Sequence, residues 1–171
     1  MSCLIDPLRA RGVSQRGFTM NELIMVLVIG GVLAAFVVPK LASFMSVRDD
    51  AWRDALAGSM RMAQKFAVGH RRLVCANVTN TAVTLRIAST NPASTCDTNL
   101  LGPNGSTTFA NASNSQAVTV VSAGGTPATN LFFQPDGRVT TDGAGSNAVD
   151  WTITATAATA ISIFGETGHV D

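Results

Sequence analysis

Residues 16–39 read RGFTMNELIMVLVIGGVLAAFVVP, and within them the run Leu23–Val38 contains only apolar residues and glycine. With Phe18 to Glu22 added, the segment before Pro39 makes about 31 Å of helix, close to the hydrocarbon thickness of a bilayer. It is long enough to span a membrane. Arg9, Arg11 and Arg16 precede it against a single acid, Asp6, while only Lys40 follows closely. The positive-inside rule keeps the N-terminus cytoplasmic and sends the remainder across the membrane. A secretory signal peptide shares the basic start, but its apolar core is shorter and is followed by small residues at a cleavage site. Here Glu22 heads the run, and an acid at membrane depth is costly unless a partner neutralises it.

Downstream, Trp52, Leu56, Met60, Ala63, Ala67 and His70 recur every three or four residues. That spacing predicts an amphipathic helix, with Arg48, Asp49, Arg53, Asp54, Arg61 and Lys65 on its other faces. One apolar stripe needs a sheet to cover it. Gly69 and His70-Arg71-Arg72 fit the end of this helix, where positive charge meets the negative end of the helix dipole. The alternative reading of Arg71 and Arg72 is a weak anion or DNA patch.

Beyond Arg72 the pattern turns to strands: Leu73–Val78, Ala82–Ala88, Ala117–Val121, Leu131–Phe133, Val149–Thr156 and Ala160–Phe164. Pro135-Asp136-Gly137 supplies a turn, so Leu131–Phe133 and Arg138–Thr140 are expected to form a hairpin. No charged residue lies between Asp97 and Asp136. Low complexity of this kind often marks disorder. Phe109, Val118, Val120, Val121, Leu131, Phe132 and Phe133 recur through it, however, and we read short strands joined by long uncharged loops. The fold class expected is α+β: a long N-terminal helix, transmembrane in its first half, packed on an antiparallel β-rich C-terminal domain. A chain of 171 residues has room for the anchor and one such domain.

The formal net charge is +1, which argues against a protein built to coat nucleic acid or an anionic membrane surface. Of the three cysteines, Cys3 lies in the basic leader, and Cys75 and Cys96 lie in the β-rich part without a C-x-x-C pairing. Cys75 and Cys96 read as a disulfide if the domain lies outside the reducing cytoplasm, and otherwise as two separate buried thiols. The histidines are His70 and His169, and no H-E-x-x-H, G-x-S-x-G, P-loop or G-x-G-x-x-G pattern accompanies them. No enzyme, metal site or cofactor is expected.

The stretch Arg16-Gly17-Phe18-Thr19-Met20-Asn21-Glu22-Leu23 resembles the prepilin signature of type IV pilins and type II secretion pseudopilins. The resemblance implies cleavage between Gly17 and Phe18 by a prepilin peptidase on the cytoplasmic side, with methylation of the new N-terminal amine. Glu22 then becomes the fifth residue of the mature chain, an assembly residue. Pro39 becomes the twenty-second, where many relatives carry a helix-kinking proline. Met20 and Asn21 depart from the usual Leu and Val or Ile. The implied division is a leader at 1–17, a transmembrane or filament-core half-helix at 18–46, an amphipathic half-helix at 47–70 and a β-rich domain at 71–171.

Ala63-Gln64-Lys65, Arg71-Arg72 leading into Leu73-Val74-Cys75, Phe133 to Arg138 (FQPDGR) and Thr167-Gly168-His169-Val170 are similar to the FimT/GspH group of minor pilins and pseudopilins, and within it to the MSHA-type minor pilins. The resemblance implies an inner-membrane protein of bacteria that passes into a periplasmic or extracellular pilus. Its partners would be other major and minor pilins, the peptidase, the inner-membrane assembly platform, and membrane lipid before assembly. Three roles fit: a minor pilin that primes or joins a pilus, a pseudopilin of a secretion piston, or a DNA-capturing subunit. DNA is not an expected partner. Some FimT-like proteins use a basic Gly-Arg-x-Arg tail, whereas this chain ends Gly168-His169-Val170-Asp171. Loss of the leader's three arginines and one aspartate, out of twelve Lys+Arg and eleven Asp+Glu, leaves nine cations against ten acids, a poor balance for phosphate binding.

Overall fold

The computed structural model describes residues 18–112, 117–155 and 158–171, and at 38–48 the backbone alone. The leader 1–17, with Gly17, lies outside the described residues. One α-helix and nine strands follow in order: α1 Met20–His70, β1 Val74–Val78, β2 Ala82–Ile87, β3 Thr98–Asn99, β4 Thr108–Asn111, β5 Val118–Ser122, β6 Asn130–Phe133, β7 Val139–Thr140, β8 Trp151–Ala155 and β9 Ile161–Ile163. The chain divides into two compact units, Met1–Ala42 and Ser43–Asp171.

In the first unit the helix opens with Thr19, whose Oγ1 accepts the Glu22 backbone N–H at 3.2 Å, and the Thr19 carbonyl accepts the N–H of Leu23 at 3.1 Å. Thr19 is thus the N-cap, and its side chain satisfies one of the amide groups that a helix start leaves without a partner. The window Met20–Val37 has a mean hydropathy of 2.2 over 18 residues, and none of it is buried. It is long and apolar enough to cross a membrane.

The second unit is built on the remainder of α1. Trp52, Leu56, Met60, Ala63 and Ala67 are buried along one stripe, as the sequence spacing predicts. His70, placed on that stripe from sequence, is exposed instead and stacks on Phe66 with ring centroids 5.8 Å apart. Ala57 and Ser59 are buried beside the stripe. Ser59 is admitted because its hydroxyl donates to the Ala55 carbonyl at 2.7 Å, so its own polar group is satisfied.

Two antiparallel sheets complete the α+β unit. In the larger, β1 lies between β2 and β6, in register Val74↔Ile87 on one side and Val74↔Phe133 on the other. β7 pairs with β6. β3 and β4 share the outer edge of β2 and pair with its end and its start respectively. In the smaller sheet, β8 lies between β5 and β9. Alternation decides the faces. Val74, Ala76, Val83, Leu85, Leu131 and Phe133 point inward and join the helix stripe, Ile153, Ile161 and Ile163 in one core. Each Val, Leu, Ile, Met or Phe side chain among them contributes about 1.5–3 kcal/mol through burial.

The hairpin expected across Pro135-Asp136-Gly137 forms: Gly137 donates its N–H to the Gln134 carbonyl at 2.9 Å and has φ +95°. Asp136 accepts from the Arg138 guanidinium at 2.7 Å and so braces the turn. Strands β5, β6, β8 and β9 fall within about two residues of their predicted positions. β3 and β4 are not among the strands that the sequence pattern delimits. Both are short and lie in the uncharged stretch, and pairing with β2 rather than apolar alternation makes them strands.

Candidate functional site

The sequence-predicted residues fall into three places. The first is the helix start, where Phe18 and Glu22 are both exposed, Phe18 to 80%. Thr19-Met20-Asn21-Glu22 has the spacing of a capping box, a role for Thr19 that the sequence reading missed although the pattern is legible. An acid in the first turn also faces the positive end of the helix dipole. Pro39 lies within α1, where its ring nitrogen has no hydrogen to donate to the preceding turn.

The second place is the far end of α1. The Arg72 N–H reaches the Ala67 carbonyl at 3.1 Å and the Arg71 N–H reaches that of Val68 at 3.3 Å. This pair of bonds is a Schellman motif, with Arg71 in the left-handed position at φ +53°. Gly69 and His70, which the sequence places at the helix end, are the last two residues of α1. The residue that turns the chain is Arg71, despite its Cβ. Its carbonyl accepts the Asn91 side-chain amide at 2.7 Å, which ties the helix end to the loop before Cys96. Arg71 and Arg72 are both exposed, and the backbone of each belongs to the helix stop.

The third place is the Cys75–Cys96 disulfide, with Cα atoms 6.1 Å apart. It fastens β1 to the loop that leads into β3. Asp97 locks that loop further: its carboxylate accepts the Ser89 hydroxyl and, at 2.8 Å, the Ser89 backbone N–H. The Ser89 hydroxyl bond, with smaller help from the Ser89 and Thr98 groups, holds the Asp97 carboxyl below its usual range against a modest opposing desolvation. For Asp136, partial burial pushes upward, but the hydrogen bonds and charge of Arg138 outweigh it and leave the carboxyl lowered.

Motifs far apart in sequence meet in the second unit. Gln64 on α1 donates to the Thr167 carbonyl at 2.6 Å, and Arg61 donates to the Val170 carbonyl at 3.2 Å. Gly168, at φ +64°, lies against Gly137 and Gln64. Gln64, the Gln134–Arg138 turn and Thr167–Val170 therefore form one junction. Buried Gln134 donates to Thr140 Oγ1 at 2.8 Å and to the carbonyls of Asp142 and Gly143, which shapes the loop after β7. Among the described residues, no three His, Cys, Asp or Glu side chains gather as a metal site. Comparison with protein-family models, with curated proteins and with solved structures returns no match.

Proposed function

We propose that this chain is a minor subunit of a type IV pilus-like filament, cleaved between Gly17 and Phe18, methylated at Phe18 and held in the bacterial inner membrane before assembly. The observation that carries this reading is the wholly exposed apolar window Met20–Val37, headed by an acid at Glu22. An uncovered surface of that size needs lipid or other helices around it. Lipid covers it before assembly, and the helices of neighbouring pilins cover it afterwards. Glu22 pairs with the new N-terminal amine of a neighbour, so that charge neutralisation favours the correct axial register.

The Gln64, Gly137 and Gly168 junction supports the FimT/GspH, MSHA-type reading, because it gives a structural role to the short motifs on which that resemblance rests. Arg71 and Arg72 have their backbones in the helix stop, which supports the helix-end role over a DNA-binding one.

Intact mass of the protein from cells with and without prepilin peptidase tests the proposal. The expected result is a peptidase-dependent loss of residues 1–17 with one added methyl group. A mass unchanged by the peptidase, or cleavage beyond Ala34, would overturn it.

A further inference from the structure

The outer face of the larger sheet carries polar side chains that neither the anchor nor the helix-end turn involves. Arg86, Cys75 and Phe132 stand side by side in one row across β2, β1 and β6, with Thr84, Asn77 and Asn130 in the next row. Strands about 4.8 Å apart, with same-face residues about 6.8 Å apart along each, make this a patch of roughly one sugar ring or one amino-acid residue. The disulfide at Cys75 pins the chain beside it, so that Ser94 and Thr95 form a wall. The resulting depression has a volume of about 290 Å³, just under the usual range for small-ligand sites, so its occupant is small.

Its chemistry is one-sided. Among the described residues that line it, Arg86 is the one charged side chain and none carries a carboxylate. The guanidinium is anchored through Nη2 to the Asp97 carbonyl at 3.1 Å. The bond from the Asn77 amide to Asn130 Oδ1, at 2.8 Å, fixes the Asn130 carboxamide by its oxygen and leaves its nitrogen as a donor. Phe132, half-buried, offers an apolar surface beside these groups.

We propose that this depression is a binding site for a small carboxylate ligand. Arg86 holds the carboxylate, Asn130, Ser94 and Thr95 meet the neutral polar groups, and Phe132 meets a C–H face. One guanidinium matches a singly charged carboxylate in charge and in fork geometry, whereas a phosphate usually draws more than one cation. The carboxylate has two sources of this size, a sugar acid and the free C-terminus of a peptide. The inference does not rest on the filament reading.

Calorimetric titration of the full-length protein in detergent tests it, with N-acetylneuraminic acid, N-acetyl-alanyl-alanine, the methyl esters of both, and inorganic phosphate as probes. One or both free acids should bind in the millimolar range or tighter, and which of them binds identifies the source, while neither ester competes. Arg86→Gln should weaken binding about tenfold or more, the loss of one charge-assisted contact. Asn130→Asp keeps the acceptor for Asn77 and the side-chain shape but adds a like charge, and should abolish binding. Both positions are exposed, so neither variant disturbs the core. Absence of binding by both acids, equal binding of the esters, preference for phosphate, or binding unchanged in either variant would each overturn the proposal.

Discussion

A Cβ added to Gly168 would stand 2.2 Å from the carbonyl oxygen of Gly137 and 2.8 Å from Gln64 Nε2. These glycines thus bring the C-terminal turn, the β6–β7 hairpin and α1 together at a separation that excludes any side chain at position 168. Because Gly168 also has φ +64°, Gly168→Ala combines a left-handed penalty of about 1–2 kcal/mol with overpacking of similar size. Thermal melting of the full-length protein should fall by about 6 °C or more. Gly58→Ala is the contrasting case: the site is helical and open, and the substitution should be neutral or stabilising by up to about 1 kcal/mol. Equal melting temperatures for the two variants would contradict the close approach at Gly168.

Arg71 occupies the position in the helix stop that glycine fills most readily. The bonds at this turn use its backbone N–H and carbonyl, so Arg71→Gly retains them while removing a strained Cβ. We expect a gain of about 1 kcal/mol, read as a higher denaturation midpoint with unchanged slope. A loss of stability would show that the Arg71 side chain itself holds the turn.

Replacing both Cys75 and Cys96 by serine should cost about 3 kcal/mol in the chain-entropy picture, for a bridge spanning 21 residues. Thiol labelling of denatured, unreduced protein should find only Cys3 in the full-length chain, and no thiol if the proposed cleavage has removed residues 1–17. Two further labels would show that the bridge does not form in the cell.

Asp97 predicts a pH dependence with a definite sign. The Ser89 hydroxyl, above all, holds the Asp97 carboxyl below the usual carboxylate range in the folded state. A lowered carboxyl favours folding fully above its unfolded value, and that contribution is lost as pH falls through the folded one. The stability difference between wild type and Asp97→Asn should therefore be constant near neutral pH and shrink below about pH 4. A difference that grows on acidification would reverse the assignment.

Glu22 combines a first-turn helix position with a charge, and two substitutions separate them. Glu22→Gln keeps the capping-box spacing from Thr19 and removes the charge, whereas Glu22→Ala removes both. If pairing with a neighbour's amine governs docking, both variants should enter the membrane and be processed, and both should be depleted from sheared filaments. Filament recovery of Glu22→Gln at the wild-type level would reduce Glu22 to a helix-start residue.

The long apolar half of α1, the helix stripe and most strands were legible in the chain because their signals are local. An unbroken apolar run declares its own length, and alternation at Val83, Leu85 and Ile87 declares a half-buried strand without reference to its neighbours. The T-x-x-E start at Thr19 and Glu22 is equally local. Elsewhere the outcome depended on residues distant in sequence. β3 and β4 are strands because an edge of β2 is there to pair with, and the uncharged stretch around them carries no period of its own. Gly69 and the basic run after it mark where the helix ends but not how it closes: the carbonyls of Ala67 and Val68 are capped by the next two amides after His70, and the Asn91 side chain secures the carbonyl of Arg71. The composition of Arg71-Arg72 could not reveal that choice, since hydrogen-bond closure outweighs the modest cost of one left-handed arginine. The meeting of Gly137 with Gly168, and the row Arg86, Cys75 and Phe132 on the outer sheet face, exist only once strand register is set. Register is a property of pairs of segments, so no single segment of this sequence contained it.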